Sequence, residues 1–303
     1  MNPSVSIIIP TWKGKALLDE FLPSVIAARN NYPGEAEIIV VDDGSKDGSV
    51  QHIEATWPDV KAVGRYENGG YAKTIQTGVD HAAGELLLFL NNDVEVASDF
   101  IAPLADHFSD PDVFQVTSLG LLKDKRTVGE GPKSGCFKRS LLKFHRSDLS
   151  TRDAFTAKHQ EAMPTLFASG GHSLLSRQKF LAMGGYDPLY EPFYWEDVDL
   201  SYRAWKRGWR VLIEPRSVVF HGRGGTIDKA FKKKSSDLIK DRNRLLFTWK
   251  NMTDPLWLFS RHLLPLALRL LLGWLILDLA FYRAFFAAAG RLSPALQARR
   301  AEK

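Results

Sequence analysis

The chain has 303 residues, 45% hydrophobic and 25% charged, which is the composition of a folded protein with a sizeable core. A net charge of +5 is too small to indicate nucleic-acid binding, and a single cysteine, Cys136, excludes an intrachain disulfide. The first twenty residues show no basic segment followed by an apolar stretch and a cleavage site, so we expect a cytoplasmic protein.

The first half of the chain alternates strand-like and helix-like segments. Two β-branched runs, 5–10 and 37–44, flank a segment whose apolar residues have helical spacing. A second helical pattern covers 72–83 and leads into an apolar run at 85–90. This alternation is typical of βαβ units, so we predict an α/β fold with a mixed, mostly parallel sheet flanked by helices.

Polar side chains follow each of these strands, at the edge where such sheets bind ligands. They are Pro10-Thr11-Trp12, Asp42-Asp43 and Asn91-Asn92-Asp93. Neither a Gly-x-Gly-x-x-Gly motif nor a P-loop motif is present, so a dinucleotide-binding fold is poorly supported. Carboxylates suit the N–H and O–H donors of a nucleoside, and a divalent metal could bridge Asp93 to a diphosphate. The alternative is that these acids only cap turns and helices.

A second acidic cluster places three carboxylates beside two aromatic rings, in Tyr194-Trp195-Glu196-Asp197-Val198-Asp199-Leu200. These acids can take a proton, hold a metal or cap a helix. For Asp199 we favour a helix start, where an acid interacts favourably with the macrodipole. From its position alone, His221 is better explained as a buried histidine at the end of a strand than as a ligand. The segment 120–160 lacks clear periodicity and predicts a loop on the acceptor side.

Six motifs together carry a resemblance to a known family. They are Val5-Ser6-Ile7-Ile8-Ile9-Pro10-Thr11, Val41-Asp42-Asp43-Gly44-Ser45, Asn68-Gly69-Gly70, Leu90-Asn91-Asn92-Asp93, Gly184-Gly185-Tyr186-Asp187 and Glu196-Asp197-Val198-Asp199-Leu200. Over residues 4–225 the chain resembles the family 2 inverting glycosyltransferases of the GT-A fold. The Asn-Asn-Asp turn and Phe220-His221-Gly222 look most like the rhamnosyl- and galactofuranosyltransferase branch.

The resemblance implies a nucleotide-diphosphate sugar as donor and a glycan or lipid-linked hydroxyl as acceptor. It implies that Asp197 is the general base and that Asp93 and His221 hold a divalent metal, Mn²⁺ or Mg²⁺. The donor-binding residues implied are Pro10, Thr11, Trp12, Asp42, Asp43, Asn68, Asn92 and Asp93. The acceptor-binding residues expected are Gly171, Trp195 and Glu196.

One position departs from the family pattern. The metal motif is often Asp-x-Asp, but Asn91 stands at its first acid, so Asp93 is the only carboxylate of this turn. Metal affinity should therefore depend more on Asp93, on His221 and on the diphosphate. An imidazole ligand suits Mn²⁺ better than Mg²⁺, so we expect manganese.

The C-terminal region has a different composition. A basic segment, 229–250, precedes an apolar segment, 256–289, in which no uninterrupted stretch reaches the ~20 residues needed to cross a bilayer. On one straight helix the basic residues would form a stripe made of Arg261, His262, Arg269 and Arg283. This pattern predicts a helix lying in the headgroup region of a membrane. The alternative is a helical hairpin packed on the catalytic domain or on a second subunit of a homo-oligomer.

We therefore expect a glycosyltransferase domain at 1–228, with a nucleotide-sugar half at 1–118 and an acceptor half at 119–228. A basic and amphipathic helical region at 229–303 should place the enzyme peripherally on the cytoplasmic face of the inner membrane. Two alternatives stay open: a catalytically inactive sugar-nucleotide-binding or scaffold protein, and a nucleotidyltransferase of related fold. The second is disfavoured because the turn after the first strand is short and has little basic character.

Overall fold

A ten-stranded sheet forms the centre of the protein in the computed structural model, which describes residues 2–138, 141–146, 151–221 and 233–302. The main path of the sheet runs β10-β12-β6-β11-β4-β1-β2-β3, with β5 paired to β12 and β7 paired to β6. Strands β8 and β9 form a separate hairpin. The strands are β1 Val5–Thr11, β2 Ala36–Asp42, β3 Lys61–Gly64, β4 Leu86–Leu90, β5 Val94–Val96, β6 Val113–Leu121, β7 Val128–Glu130, β8 Lys133–Lys138, β9 Leu141–Arg146, β10 Met163–Pro164, β11 His172–Ser176 and β12 Arg210–His221.

The sheet is mixed but mostly parallel, as predicted. Strands β3, β2, β1 and β4 are parallel neighbours, and β6 and β12 form a second parallel pair. Strand β11 joins the two groups and is antiparallel to both β4 and β6, so all six parallel strands run the same way. Their carboxyl ends therefore lie along one edge of the sheet. The predicted division at 118/119 falls within β6, so the two halves share one sheet.

Helices cover both faces of the sheet. They are α1 Lys15–Asn31, α2 Ser49–Thr56, α3 Tyr71–Asp80, α4 Ile101–Ala105, α5 Arg152–Lys158, α6 Arg177–Ala182, α7 Glu196–Lys206, α8 Lys233–Asn251, α9 Pro255–Trp257, α10 Leu264–Leu272, α11 Leu279–Ala289 and α12 Leu292–Ala301. Alternate residues of β1 point to opposite faces, so Ile7 packs in the same cluster as Leu18 of α1, while Ile8 packs with Ile75 of α3. The fold class predicted from the strand–helix alternation is thereby confirmed.

The segment between 120 and 160 is not a plain loop. It contains β7, the β8–β9 hairpin and α5, although 139–140 and 147–150 lie outside the described residues. The hairpin packs on α8 through Leu142, which belongs to the same buried cluster as Phe247. Its apolar residues contact a helix about one hundred positions later in the chain. The spacing of apolar residues within the segment alone does not reveal this contact.

The C-terminal helices pack on one another and on the catalytic half. Helices α11 and α12 both pack against α8, and the predicted boundary at 228/229 lies outside the described residues. A π-helical turn, Leu258–Leu263, connects α9 to α10, and the continuous helical segment Pro255–Leu275 is long and apolar enough to cross a membrane by length and composition. The prediction that no uninterrupted apolar stretch reaches this length still holds, because Arg261, His262 and Arg269 lie within the segment. Only 17% of that helix's most apolar window is buried in the structure.

The predicted basic stripe does not exist as one surface. The ring of His262 is fully buried and accepts a hydrogen bond from Trp249 Nε1 at 2.9 Å. Arg269 is exposed, and its charge is paired with Asp278 at 2.6 Å. The stripe assumed one straight helix, but the backbone turns at Leu277, where φ is 50°. Apolar side chains dominate the exposed surface instead, with Leu256, Leu271, Trp274 and Leu277 all more than half exposed.

Candidate active site

A cavity of about 600 Å³ opens at the carboxyl ends of β1, β2 and β4 and at the start of α7. Most of the residues predicted for the site line it. They are Pro10, Thr11, Trp12, Asp43, Asn68, Asn92, Asp93, Gly171, Glu196, Asp197 and His221. Asp42 and Trp195 are not in its lining. The structure therefore brings the two acidic clusters, which are far apart in sequence, to the wall of one cavity.

Asp43 organises the turn on the predicted donor side. Thr11 and Asp42 are paired residues at the ends of β1 and β2, so Asp43 follows directly at the sheet edge. Its carboxylate accepts hydrogen bonds from the backbone N–H groups of Gly69 and Gly70, both at 2.9 Å, and pairs with Arg65 at 2.9 Å. The Asn68-Gly69-Gly70 turn is thereby held against the end of β2, and Asn68 is held on the cavity wall.

The neighbouring acid, Asp42, serves the fold instead of the cavity. Its carboxylate accepts hydrogen bonds from the backbone N–H and the hydroxyl of Ser45, and Ser45 Oγ in turn accepts from the N–H of Lys13 at 2.7 Å. These bonds tie the turn after β2 to the turn after β1. The assignment of Asp42 to nucleotide binding is therefore corrected to a buried turn-stabilising role.

The Asn91-Asn92-Asp93 turn is fixed by short contacts on both sides. Asn92 Nδ2 donates to Thr11 Oγ1 at 2.8 Å, which links the end of β4 to the end of β1. The N–H of Asn91 donates to the carbonyl of Gly171 at 2.8 Å. A Cβ on Gly171 would lie 2.4 Å from Asn91 Nδ2, so a larger residue here would displace the Asn91 side chain.

Asp93 and His221 face each other across the cavity wall. Strand β5 follows Asp93 directly, and its antiparallel pairing with β12 sets His221 opposite Val94. His221 Nε2 consequently lies 3.4 Å from Asp93 Oδ1. The Nε2 atom is buried and has no hydrogen-bond partner within the described part of the chain. The structure thus pairs a carboxylate and an imidazole whose ring nitrogen is uncommitted.

This pair fits the metal site that the resemblance implies. Adjacent ligands of an octahedral cation with bonds of about 2.1 Å lie about 3 Å apart, close to the separation seen here. A carboxylate with an imidazole suits Mn²⁺. Among the described residues no group of three or more His, Cys, Asp or Glu side chains is arranged to hold a metal by itself. Further ligands would have to come from a diphosphate and water.

Glu130 is a site residue that the sequence did not reveal. It ends β7, lines the cavity, and contacts His172 Nε2 at 3.2 Å and His221 Nδ1 at 3.4 Å. Burial alone would raise the pKa of Glu130, but the hydrogen bonds from both histidines and the charge of Lys133 hold it well below its usual value. The two flanking carboxylates raise the pKa of His221 to about 10, against its burial. Glu130 therefore orients the ring of His221 through the Nδ1 atom.

Glu196 and Asp197 enter the cavity from the first turn of α7. Burial, followed by the neighbouring charge of Asp197, raises the pKa of Glu196 to about 8. Burial also raises the pKa of Asp197, against the opposing charge of Lys133. One oxygen of Glu196, Oε2, is buried without a hydrogen-bond partner in the described residues. A raised pKa brings a carboxylate closer to the range that suits a general base near neutral pH.

Trp195 does not offer its ring to the cavity. Its φ of 81° turns the chain just before α7, and only 6% of the residue is exposed. The ring packs between Phe144 and Phe247, with centroid distances of 5.2 and 5.3 Å. Its predicted role as a sugar-facing surface is therefore corrected to core packing. Tyr194, which also has a positive φ, and Phe193 line the cavity in its place.

A residue of the C-terminal region holds the loop that leads into α7. Asn243 of α8 is fully buried, and its side-chain amide donates to the carbonyls of Tyr190, Phe193 and Tyr194 at 2.7, 3.1 and 2.7 Å. These three residues lie in the loop that leads into α7, which begins with Glu196 and Asp197. Asn243 lies in the middle of a helical pattern, and nothing in the sequence marks it as a partner of this loop.

Asp199 belongs to a buried charged network instead of only starting a helix. It lies in the first turn of α7 as predicted, but its side chain is fully buried. Its carboxylate binds Arg203 at 2.7 Å, Lys250 at 2.8 Å and Asn251 at 2.8 Å. Opposing charges this close outweigh burial and lower the pKa of Asp199 to about 2. The network joins α7 to the end of α8.

A family model described as glycosyl transferase family 2 matches residues 6–182, which is more than half of the chain. The N-acetylgalactosaminyltransferase 7 of Drosophila melanogaster is 27% identical over 255 residues, which are 78% of this chain and 43% of that protein. This chain therefore spans less than half the length of that relative.

Two solved structures resemble the chain in fold. The crystal structure of GalNAc-T7 with UDP, GalNAc and Mn²⁺ aligns with a TM-score of 0.60 at 21% identity, over 82% of this chain and 48% of that one. The mannosyltransferase PcManGT from Pyrobaculum calidifontis, in complex with GDP-Man and Mn²⁺, aligns with a TM-score of 0.58 at 19% identity, over 98% of this chain and 78% of that one. At these identities the likeness concerns the fold alone.

Proposed function

The chain belongs to glycosyl transferase family 2 and has the GT-A fold, and from this premise we propose a metal-dependent, inverting sugar transfer with Asp197 as general base. The donor is a nucleotide-diphosphate sugar, and the acceptor is a hydroxyl of a glycan or of a lipid-linked molecule. One observation carries the proposal: Asp197 lies in the same cavity as the Asp93–His221 pair.

The proposed chemistry follows from the position of each group. Asp197 takes the proton of the acceptor hydroxyl as its oxygen attacks the anomeric carbon. Attack from the face opposite the leaving diphosphate inverts that centre. Glu196 holds the acceptor through its unpartnered oxygen, and Tyr194 and Phe193 supply apolar surface beside it. On the donor side Pro10, Thr11, Trp12 and Asn68 enclose the nucleoside.

The metal belongs to the donor side of this scheme. Asp93 and His221 would hold the divalent cation, with Glu130 orienting the imidazole through its other nitrogen. A bound cation supplies Lewis-acid stabilisation of the charge that develops on the leaving diphosphate. Mn²⁺ is the proposed ion, which agrees with the Mn²⁺ named in both solved structures.

The exchange of Asp197 for asparagine tests the base assignment. Asp197→Asn keeps the size of the side chain but removes the proton acceptor, so we expect nucleoside diphosphate release in the presence of acceptor to fall about 10³-fold. A thermal shift with UDP-GalNAc or GDP-mannose and Mn²⁺ should be unchanged, since donor binding does not need the base. Equal release rates in both proteins would remove Asp197 from the mechanism.

A hexosyl donor is the proposed sugar class, because the relatives named above transfer N-acetylgalactosamine or mannose by their names. The rhamnosyl- or galactofuranosyl branch stays a prediction from the motifs. A thermal-shift screen of UDP-GalNAc, GDP-mannose, dTDP-rhamnose and UDP-galactofuranose with Mn²⁺ separates these donors, since a bound ligand raises stability by mass action. The largest shift identifies the donor class.

The inactive-scaffold alternative finds little support in the site. A protein that only binds a sugar nucleotide has no need for a buried acid pair with raised pKa values beside the Asp93–His221 pair. The nucleotidyltransferase alternative lacks a basic phosphate loop, since the turn after β1 contributes only Lys13 before Gly14.

We also propose that the C-terminal helices hold the enzyme peripherally at the cytoplasmic face of the inner membrane. The support is the run of exposed apolar side chains on the segment Pro255–Leu275 and on α11, including Trp274 at 63% and Phe286 at 66%. Replacing Leu271 and Trp274 together by glutamine should move the protein from the membrane to the soluble fraction. Unchanged partitioning would favour a second subunit as the partner of this surface.

A further inference from the structure

Two arginines from the C-terminal region converge on one backbone carbonyl beside the active site. Arg242 Nη2 donates to the carbonyl of Glu191 at 2.5 Å, and Arg291 Nη1 donates to the same oxygen at 3.0 Å and to the carbonyl of Leu189 at 2.9 Å. Two guanidinium groups, one from α8 and one from the residue before α12, are therefore held at the same carbonyl oxygen.

No carboxylate offsets this pair in the described part of the chain. Neither guanidinium has an Asp or Glu oxygen within 4.0 Å there, and the Glu191 carboxylate itself pairs with Lys73 at 3.3 Å. Burial and the neighbouring charge of Arg291 lower the pKa of Arg242 to about 10. Like charges held together at a half-buried position are unfavourable unless an anion joins them.

Both arginines keep N–H groups for a ligand. Arg242 uses Nε for Asn243 Oδ1 and Nη2 for Glu191, and Arg291 uses only Nη1 in its described bonds. Both side chains are half-buried, and none of their nitrogens is both buried and unpartnered. The remaining N–H groups therefore reach solvent. Two adjacent guanidinium groups with free N–H groups suit a phosphate, which accepts several charge-assisted hydrogen bonds at once.

The pair lies between the cavity and the exposed apolar helices. The residue after Glu191 is Pro192, which lines the cavity together with Tyr194. Lys240 Nζ, a third cation from α8, lies 4.5 Å from the centroid of the Tyr194 ring. On the other side, Arg291 is followed directly by Leu292, which is 42% exposed. A phosphate bound here would have the cavity on one side and an exposed apolar side chain on the other.

We propose that Arg242 and Arg291 form a subsite for the phosphate of a lipid-linked acceptor. The proposal rests on the glycosyltransferase function above and makes its acceptor class specific: a lipid phosphate or diphosphate whose apolar chain runs over the C-terminal helices. The diphosphate of the donor has a separate place beside Asp93. The ligand is recognised by its phosphate, whereas a neutral glycolipid would leave the guanidinium pair unused.

Vesicle flotation with the full chain tests this subsite. Three vesicle types are compared: phosphatidylcholine alone, phosphatidylcholine with phosphatidylglycerol, and phosphatidylcholine with a polyprenyl phosphate at the same molar fraction. We expect the polyprenyl phosphate vesicles to bind the wild-type chain at least about tenfold more tightly than the phosphatidylglycerol vesicles. In the double variant Arg242→Gln and Arg291→Gln this preference should disappear, while binding to phosphatidylcholine alone should stay the same.

Gln is shorter than Arg and does not reach the Glu191 carbonyl, but the side-chain amide of Asn243 still holds the loop through the carbonyls of Tyr190, Phe193 and Tyr194. Arg299→Gln is the matched control, because Arg299 also donates to two carbonyls, those of Trp249 and Met252, yet lies outside the subsite. An unchanged preference in the double variant, or equal binding to phosphatidylglycerol, overturns the proposal. Donor binding is measured separately by the thermal shift with nucleotide sugar and Mn²⁺, so a loss of the proposed function is seen apart from a loss of this subsite.

Discussion

The two sides of the cavity are built in different ways. The proposed donor side consists of turns that follow β1, β2 and β4, and bonds between neighbouring strand ends and turns hold it, such as Asn92 to Thr11 and Asp43 to the 68–70 turn. The acceptor side consists of the loop 187–195, which is held by Asn243 in a helix about fifty positions later. Sheet topology positions the donor side, whereas buried side chains from the C-terminal region position the acceptor side.

This difference predicts that the two regions of the chain affect the binding of different substrates. A change in the C-terminal region should reach acceptor binding through the loop, because α8 contacts the loop and the donor turns have their own supports. The family match ends at residue 182, before the whole of this acceptor apparatus. The loop 187–195 and the helix α8 that holds it therefore lie outside the part of the chain that the family model matches.

The largest effect is expected where the two sides meet, at the metal pair. His221→Ala removes an imidazole ligand, so the Mn²⁺ concentration that gives half-maximal activity should rise about 100-fold. His52→Ala is the control, because His52 binds Asp19 on the surface, remote from the cavity. Activity titrated with Mn²⁺ measures the effect. An unchanged titration in His221→Ala would assign the cation to Asp93 without His221.

On the acceptor side, Asn243→Ala leaves three buried carbonyls without their donor, which costs about 1–3 kcal/mol and loosens the loop. We expect the acceptor KM to rise about tenfold, while the donor KM stays within about twofold because the donor turns are held by their own bonds. Steady-state kinetics with each substrate varied in turn separate the two constants. An equal rise in both would show that the two sides are not independent.

On the donor side, Asp43→Asn should change the donor KM and leave the acceptor KM unchanged. Its amide keeps one acceptor oxygen but loses the charge opposite Arg65, so the 68–70 turn loosens and the donor KM should rise about fivefold. Asp42→Asn is the matched control, since Asp42 does not line the cavity, and it should lower the melting temperature without changing the donor KM. The acceptor KM should be unaffected by either substitution.

The smallest effect concerns the acid pair, and it is a change of stability with pH. The pKa of Glu196 is about 8 in the folded protein and near 4 to 5 when unfolded, so the folded state holds an extra proton between these values. The contribution of this group to the free energy of unfolding is complete below pH 4 and is lost as the pH rises through 8. Glu196→Gln stays neutral, so its melting temperature should exceed that of the wild type by a few degrees at pH 9, with the gain shrinking towards pH 5. If the melting temperatures of the two proteins changed with pH in the same way, the raised pKa of Glu196 would be contradicted.

The sequence predicts the donor side well for a physical reason. Consecutive parallel strands bring their carboxyl ends together, so residues such as Thr11, Asp43 and Asn92 can be placed by counting strands. The sequence could not show which of Asp42 and Asp43 lines the cavity. Successive residues at a strand end point in opposite directions, and the packing of the turn determines which side chain faces the cavity. The Asp93–His221 pair rested on the family resemblance, and the structure gives it a geometric basis in the pairing of β5 with β12.

The contacts of Glu130 and Asn243 were harder to predict because they arise outside the regular alternation of strands and helices in the first half of the chain. Glu130 meets His221 only after β7 pairs with β6, and Asn243 meets the loop only after α8 packs on it. Trp195 was misplaced because a positive φ, which is rare outside glycine, reverses the direction of its side chain. Aromatic and acidic residues in a cluster indicate a site, but local backbone geometry decides which of them face it.

The pairing of β5 with β12 has a consequence for the order of folding. It joins positions from the first and the last parts of the catalytic region, so the entropy of closing a long loop must be overcome before Asp93 meets His221. We therefore expect the cation site to form only after β12 has joined β6 and come to lie beside β5. Binding of Mn²⁺ should then report the fully assembled sheet and resist its opening from that edge.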